Sequence, residues 1–265
     1  MTATIADDGT PHNHGEAAEI LNPIGRGDVL LVCDHASNHI PADMDNLGLD
    51  DAELARHIAW DIGAAALTRA LSQTLDAPAV LARTSRLVID VNRDASADSL
   101  IPHMSDGTVI PGNTGLTPEQ RQDRLNRFYH PFHAAVETQV KDMLAHKRVP
   151  LVIGVHSFTP IMNGVPRPWV VGLLWNRDKR LAAAMIAALR RRGFLVGDNE
   201  PYSGRTLFYT MDRHGAGHGL PQATLEIRQD EIGDAAGVAK WARIVTEVVT
   251  EIATLPELKT RRFHG

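Results

Sequence analysis

The sequence predicts an α/β fold: a single domain with a mixed central β-sheet flanked by helices. Three observations predict it. Short apolar runs alternate with helical patterns along the chain. Two of those runs, "PLVIGVH" and "PWVVGLLW", are continuous enough to be central strands buried on both faces. No repeat, low-complexity tract or linker-like change in composition divides the 265 residues. With 43% hydrophobic and 22% charged residues, the chain has the material for a sizeable core.

Residues 1–25 form a polar lead-in, expected to be flexible, in which His12 and His14 bind metal weakly at best. Residues 26–265 carry the domain. "DVLLVC" is the first strand, ending at Cys33. From Asp50 onward, Leu54, Ile58 and Ile62 recur at helical spacing, and Asp50 with Glu53 resembles a capping box. "PAVLA" and "LVIDV" read as two short strands separated by polar "RTS". Residues 95–117 are rich in Ser, Asp, Gly, Pro and Asn, the composition of a long loop, which in compact domains often serves as a lid or binding loop.

Thr117, Pro118 and Gln120 supply a helix cap, a first-turn proline and a box partner. Leu125, Phe128, Phe132, Val136 and Val140 continue that helix, and Pro131 should kink it. Asp178 opens a further helix that Gly193 ends. The glycine-rich "HGAGHG" at 214–219 reads as a flexible loop, and "QATLEIR" as another strand. Asp234 opens the last helix, with Val238, Trp241, Ile244 and Val248 as its apolar face.

The net charge of −5 gives no electrostatic reason to expect nucleic acid or an anionic membrane as partner. No apolar stretch approaches the roughly 20 residues of a membrane span. The lead-in lacks the basic start and apolar core of a signal peptide. A single cysteine, Cys33, rules out an internal disulfide framework, and its place in an apolar run suits a buried structural thiol. A cytoplasmic protein is the expectation.

Active sites of open α/β sheets gather at the carboxyl ends of strands. His35 follows "DVLLVC", within "VCDHASNHIP"; Asn92, Arg93 and Asp94 follow "LVIDV"; His156 and Ser157 follow "LVIGV"; Glu226 and Arg228 end "ATLEI". Neutral imidazole is a good zinc ligand, and a catalytic zinc needs about three protein ligands and an open position. His35 and His156 are therefore candidate ligands. Asp61 is the candidate third: it follows His57 by four residues, on a shared helix face beside an apolar stripe. An ordinary exposed helix acid is an equally good reading of it. Asp34 and His39 are fallback ligands, and Asp34 can instead orient His35 from behind.

Glu226 alternates with Leu225 and Ile227, so it faces away from the core they define. Beside a metal such a carboxylate carries protons; otherwise it pairs with Arg228. Arg86 and Arg93 flank "LVIDV", and Arg205 lies in turn-rich "YSGRTLFY". A guanidinium fork matches a carboxylate, so an anionic substrate is expected. Ser37 and Asn38, beside His35, and Asn92 are further candidate substrate contacts. There is no GxGxxG after a strand, no Walker loop and no GxSxG elbow.

"VCDHASNHIP", "WDIGAAAL", "TSRLVIDVNRD", "GVHSFTP", "NEPYSG" and "LEIRQD", in that order, resemble the N-formylglutamate amidohydrolase family, in its divergent branch. The resemblance runs from about residue 28 to 235. That family is similar to the zinc carboxypeptidase and aspartoacylase group. The resemblance implies a phosphorylase/hydrolase-like fold and a divalent metal, zinc, as cofactor. It implies that His35 and His156 are metal ligands and Glu226 the general base. Asn92 and Arg93 then form the pair that contacts the substrate carboxylate or carbonyl. The zinc carboxypeptidase pattern has Glu three residues after the first His, where this sequence has Asn38. Either Asp61 supplies the carboxylate, or metal binding is weaker or absent.

The expectation is a metal-dependent hydrolase of a small anionic N-acyl amino acid, with N-formyl-L-glutamate as the named candidate. Hydrolysis of another N-acyl amino acid or small peptide is one alternative. A non-catalytic carboxylate-binding protein on the same scaffold is the other.

Overall fold

The computed structural model describes residues 15–162 and 164–264, so His12 and His14 lie outside the described residues. In chain order the strands are β1 (Ala18–Leu21), β2 (Val29–Cys33), β3 (Ala79–Ala82), β4 (Met104–Ser105), β5 (Thr108–Val109), β6 (Leu151–Phe158), β7 (Ile161–Met162), β8 (Val165–Pro166), β9 (Val171–Leu174), β10 (Val196–Asp198) and β11 (Gln222–Arg228). The helices are α1 (Asp51–Leu54), α2 (Ala64–Thr74), α3 (Pro118–Arg124), α4 (His130–Ala145), α5 (Arg180–Arg191), α6 (Tyr209–His214) and α7 (Ala235–Ile252).

Seven strands form one sheet in the order β1-β3-β2-β6-β11-β9-β10. β3, β2, β6 and β11 run parallel; β1 is antiparallel to β3, and β9 is antiparallel to β11 but parallel to β10. The expected mixed sheet is therefore present. β4 with β5, and β7 with β8, are separate two-stranded hairpins.

Alternation along each strand splits the core into two layers. Leu31, Cys33, Ile153, Val155, Leu225 and Ile227 meet α2, α5 and α7 on one face. Leu30, Val32 and Val152 meet α4, α6 and the irregular stretches around residues 40–59 and 87–110 on the other. His156 and Glu226 share the parity of that second face, at the carboxyl end of the parallel strands.

Several predicted elements differ from those observed. The lead-in expected to be flexible to residue 25 contains edge strand β1, and Glu19 on it pairs with Arg69. The long helix expected from Asp50 is two helices separated by the irregular residues 55–63. Gly63 is in the left-handed region at φ 82°, and Asp61 N donates to His35 O at 2.9 Å. Those features tie the segment to the turn after β2, at the carboxyl end of the sheet, instead of letting it continue as a helix. Asp50 still caps α1, accepting from Glu53 N at 2.8 Å.

"LVIDV" is buried but is no strand. Ser85 Oγ accepts from Leu87 N, and Asp90 Oδ1 accepts from Asn92 N. Side chains take the amides a neighbouring strand would need. "HGAGHG" is not a loose loop: His214 ends α6 and is 1% exposed. The Thr117–Gln120 capping box is present, and a π-turn at Leu125–Tyr129 precedes Pro131. Asp178 lies one residue before the cap of α5 and accepts from Arg180 N. Among the described residues, no helix is long and apolar enough to cross a membrane.

Candidate active site

At the carboxyl ends of β2, β6 and β11 lies a cavity of about 200 Å³. His35 reaches it from the turn after β2, His156 and Glu226 from adjacent strands in register, and Asp61 from the irregular segment before α2. Each is at most 5% exposed. Arg86, Asn92 and Arg93 complete one wall, and Tyr202 lines the cavity too.

His35, Asp61 and His156 offer ligand atoms that all lie within 4.8 Å of one another. Asp61 Oδ2 is 2.8 Å from His156 Nδ1 and 3.4 Å from His35 Nδ1. The opposite nitrogens are occupied from behind. His35 Nε2 meets Asp90 Oδ1 at 2.8 Å, and His156 Nε2 meets Asp34 Oδ2 at 3.2 Å. Each imidazole thus has a carboxylate partner that fixes its ring and leaves Nδ1 facing the cluster. Asp34 is itself held, accepting from Thr210 Oγ1 at 2.9 Å. Thr210 N donates in turn to Asn92 Oδ1 at 3.1 Å.

The electrostatics follow from this packing. Burial works to raise the Asp61 carboxyl, but the two imidazoles outweigh it and hold the group far below the usual carboxylate range. Burial is likewise overcome at Asp90, which His35, Arg86 and Arg93 hold low. Burial opposes protonation of His156, yet the hydrogen bonds to Asp34 and Asp61 raise it well above the ordinary imidazole range. For Glu226 burial wins, and its carboxyl is pushed up to about 7. A bound cation changes this balance, because ligation requires neutral imidazole and a nearby positive ion favours carboxylate.

Beside the His35–Asp61–His156 cluster, His35 Nδ1 and Glu226 Oε2 are buried with no hydrogen-bond partner among the described residues, as is Nε2 of His57 farther along the cavity lining. Leaving buried polar atoms unpaired costs about 1–3 kcal/mol each. A divalent cation fits the first, because two imidazoles and a carboxylate are the ligand set of zinc hydrolases with an open fourth position. A water or substrate group fits the second.

The sequence reading brought His35, His156, Asp61, Glu226, Arg86, Asn92 and Arg93 to one place, and the structure does the same. Asp61 arrives without a shared helix face, and His57 lies 3.4 Å from Asp106 instead. Three candidates lie elsewhere. Ser37 Oγ accepts from His39 N, Asn38 Nδ2 donates to Leu54 O, and Arg205 lies over the Trp175 ring. None of the three lines the cavity. The fallback ligand His39 is exposed, and Asp34 orients His156 rather than His35. Glu226 does not pair with Arg228, which grips Asp230 with two bonds.

The sequence reading missed Asp90, Thr210 and Tyr202. An acid inside the apolar run "LVIDV" was the available signal for Asp90. Tyr202 lies inside the quoted motif "NEPYSG", which was its signal, and nothing local marked Thr210.

The N-formylglutamate amidohydrolase family model matches residues 27–233. The crystal structure of gene product Atu2144 from Agrobacterium tumefaciens superimposes with a TM-score of 0.89 at 37% identity, covering 92% of this chain and 97% of that one. The crystal structure of N-formylglutamate amidohydrolase from Ralstonia eutropha JMP134 gives 0.64 at 21% identity, covering 90% and 97%. At that identity it speaks for the fold. No curated protein matches the chain.

Proposed function

Because the chain belongs to the N-formylglutamate amidohydrolase family, and so is a hydrolase of amide bonds, we propose that it cleaves N-formyl-L-glutamate to formate and L-glutamate. The observation that carries this reading is the buried convergence of His35, Asp61, His156 and Glu226 on one cavity with arginines in its wall. His35, Asp61 and His156 would hold a divalent metal, with zinc as the candidate. When bound, that ion supplies Lewis-acid polarisation of the scissile carbonyl and of water.

The chain's own residues do the rest. Glu226 takes a proton from the attacking water as its oxygen bonds to the formyl carbon. The same carboxyl then gives that proton to the amide nitrogen, the C–N bond breaks, and the amine leaves. Burial, which raises this carboxyl, favours its proton-holding half of that exchange, and a bound cation would favour the carboxylate half. Asp90 and Asp34 keep the imidazoles oriented, and the buried setting limits competing water. The single buried cysteine supports a reducing, cytoplasmic compartment.

The test is product analysis by NMR with N-formyl-L-glutamate and N-formyl-L-alanine. Equimolar formate and glutamate are expected, with kcat/KM for the acidic substrate roughly 10–100-fold higher, the value of a charge-assisted hydrogen bond. A preference for the alanine compound would remove the acidic substrate from the account.

A further inference from the structure

The two arginines expected to hold the substrate carboxylate are already engaged. Arg86 Nη2 donates to Asp90 at 2.9 Å and its Nη1 lies 3.5 Å from Asp61. Arg93 lies 3.8 Å from the same Asp90 carboxylate, and its Nη1 donates to Asn92 O. Their charge is largely spent on the acids that orient the site.

A third arginine, the half-buried Arg167, does not itself line the cavity but packs on three residues that do, Phe158, Thr159 and Tyr202, and has no carboxylate partner among the described residues. Arg167 lies 4.7 Å over the Tyr202 ring and 5.8 Å over that of Phe158, and both rings line the cavity. Its Nη1 donates to Tyr202 Oη at 3.0 Å and to Thr159 O at 3.3 Å. Nη1 has two hydrogens, so these bonds use both. The Nε–Nη2 edge makes no hydrogen bond among the described residues. That edge is a face of the guanidinium fork that binds a carboxylate through two parallel bonds.

The segment is also held in place. Arg167 N donates to Pro160 O at 2.8 Å, closing the base of the β7–β8 hairpin. Arg228 Nη1 donates to Arg167 O at 3.3 Å and to Trp169 O at 3.4 Å. One strand, β11, therefore carries both Glu226 and the brace for Arg167, which ties the arginine to the candidate base.

We infer that Arg167, set by Tyr202 and Thr159, is the residue that recognises a carboxylate of the substrate and selects for acidic N-acyl amino acids. This rests on the proposed function for its substrate class, but the recognition is testable without turnover. Arg167→Met keeps a stem that packs on the rings and removes the fork. Its expected effect is a 10–100-fold rise in KM for N-formyl-L-glutamate, with kcat changed by less than about 3-fold. Arg167→Lys, with charge but no fork, should fall between.

The same three proteins are titrated calorimetrically with N-formyl-L-glutamate, with fold checked by circular dichroism. If the wild type binds the compound and Arg167→Met weakens binding 10-fold or more, the assignment stands even when no formate is released; absent formate then counts against the function alone. Equal affinity in wild type and Arg167→Met overturns it. So does a wild type that does not bind, or a folded Arg167→Met protein that loses kcat rather than affinity.

Discussion

Two histidine–carboxylate clusters lie on the same face of the sheet, and only one has the build of a catalytic site. At the strand ends, both imidazoles of the His35–Asp61–His156 group are anchored through Nε2, so both Nδ1 atoms face a shared acid beside a cavity. The second cluster joins α4 to α6. There His133 Nδ1 meets His214 Nε2 at 2.9 Å, and His214 Nδ1 meets Glu137 Oε2 at 3.1 Å. His218 Nε2 reaches Glu137 Oε1 at 3.1 Å. In that chain the residues bond one to the next, His133 Nε2 is left over and buried, and none of the four lines the cavity at the strand ends. Residue type is the same in both clusters. The difference lies in which nitrogen is left over and what it faces. Thr210, on α6, bonds Asp34 and Asn92 and so joins the two regions.

The largest way to sharpen this contrast is Glu226→Gln. It keeps shape and removes the proposed proton carrier, so kcat should fall roughly 10³–10⁴-fold with substrate affinity nearly unchanged. Stopped assays with calorimetry on the same protein read both quantities, and near-normal turnover would end the mechanism. Next comes Asp61→Asn. Metal affinity, read by competition with a chromophoric chelator, should fall by more than the roughly 100-fold that loss of an outer partner reaches. His214→Gln in the other cluster should retain metal like the wild type. Equal losses in the two variants would erase the distinction.

Asp90→Asn is gentler. The amide can still accept from one neighbour, but it no longer supports the His35 ring with charge. A 10–100-fold drop in metal affinity is expected from the same competition. The smallest effect is on stability. Burial pushes His214 down to about 4, with the Arg213 charge adding and Glu137 opposing; burial, aided by His214 and Arg213, holds His133 well below its ordinary range. The unfolded chain protonates these rings below about pH 6.5, and the folded chain resists. Stability is therefore full above pH 6.5 and declines as pH falls toward 4. Each such imidazole contributes up to about 1.4 kcal/mol per pH unit. Thermal melts of wild type and His214→Gln should converge between pH 6.5 and 5. A gap that widens toward acid would reverse the sign argued here.

How much of this was legible in the sequence depended on where the backbone's hydrogen bonds go. β2, β6 and β11 were visible because continuous or alternating apolar residues suffice to specify strands, and His35, His156 and Glu226 came with them. Asp61 was found for a reason the structure replaces: residues 55–63 are irregular and bonded to the turn after β2, and no helix face is shared with His57. Asp90 was hidden because its run looks like a strand until Ser85 and Asp90 are seen to take the backbone amides. Asn38 in place of a metal-binding acid was the feature that weakened the metal reading. In the fold Asn38 turns to Leu54 O, and the carboxylate in the cluster comes from Asp61. That substitution crosses 23 positions of sequence, beyond the reach of any local pattern.

The most direct test of the account is formate release from N-formyl-L-glutamate by the purified chain, zinc-loaded, then chelated, then reloaded. The account predicts release at about one equivalent of zinc, loss on chelation and recovery on reloading. No formate from verified zinc-loaded protein, or undiminished formate after complete metal removal, would contradict it.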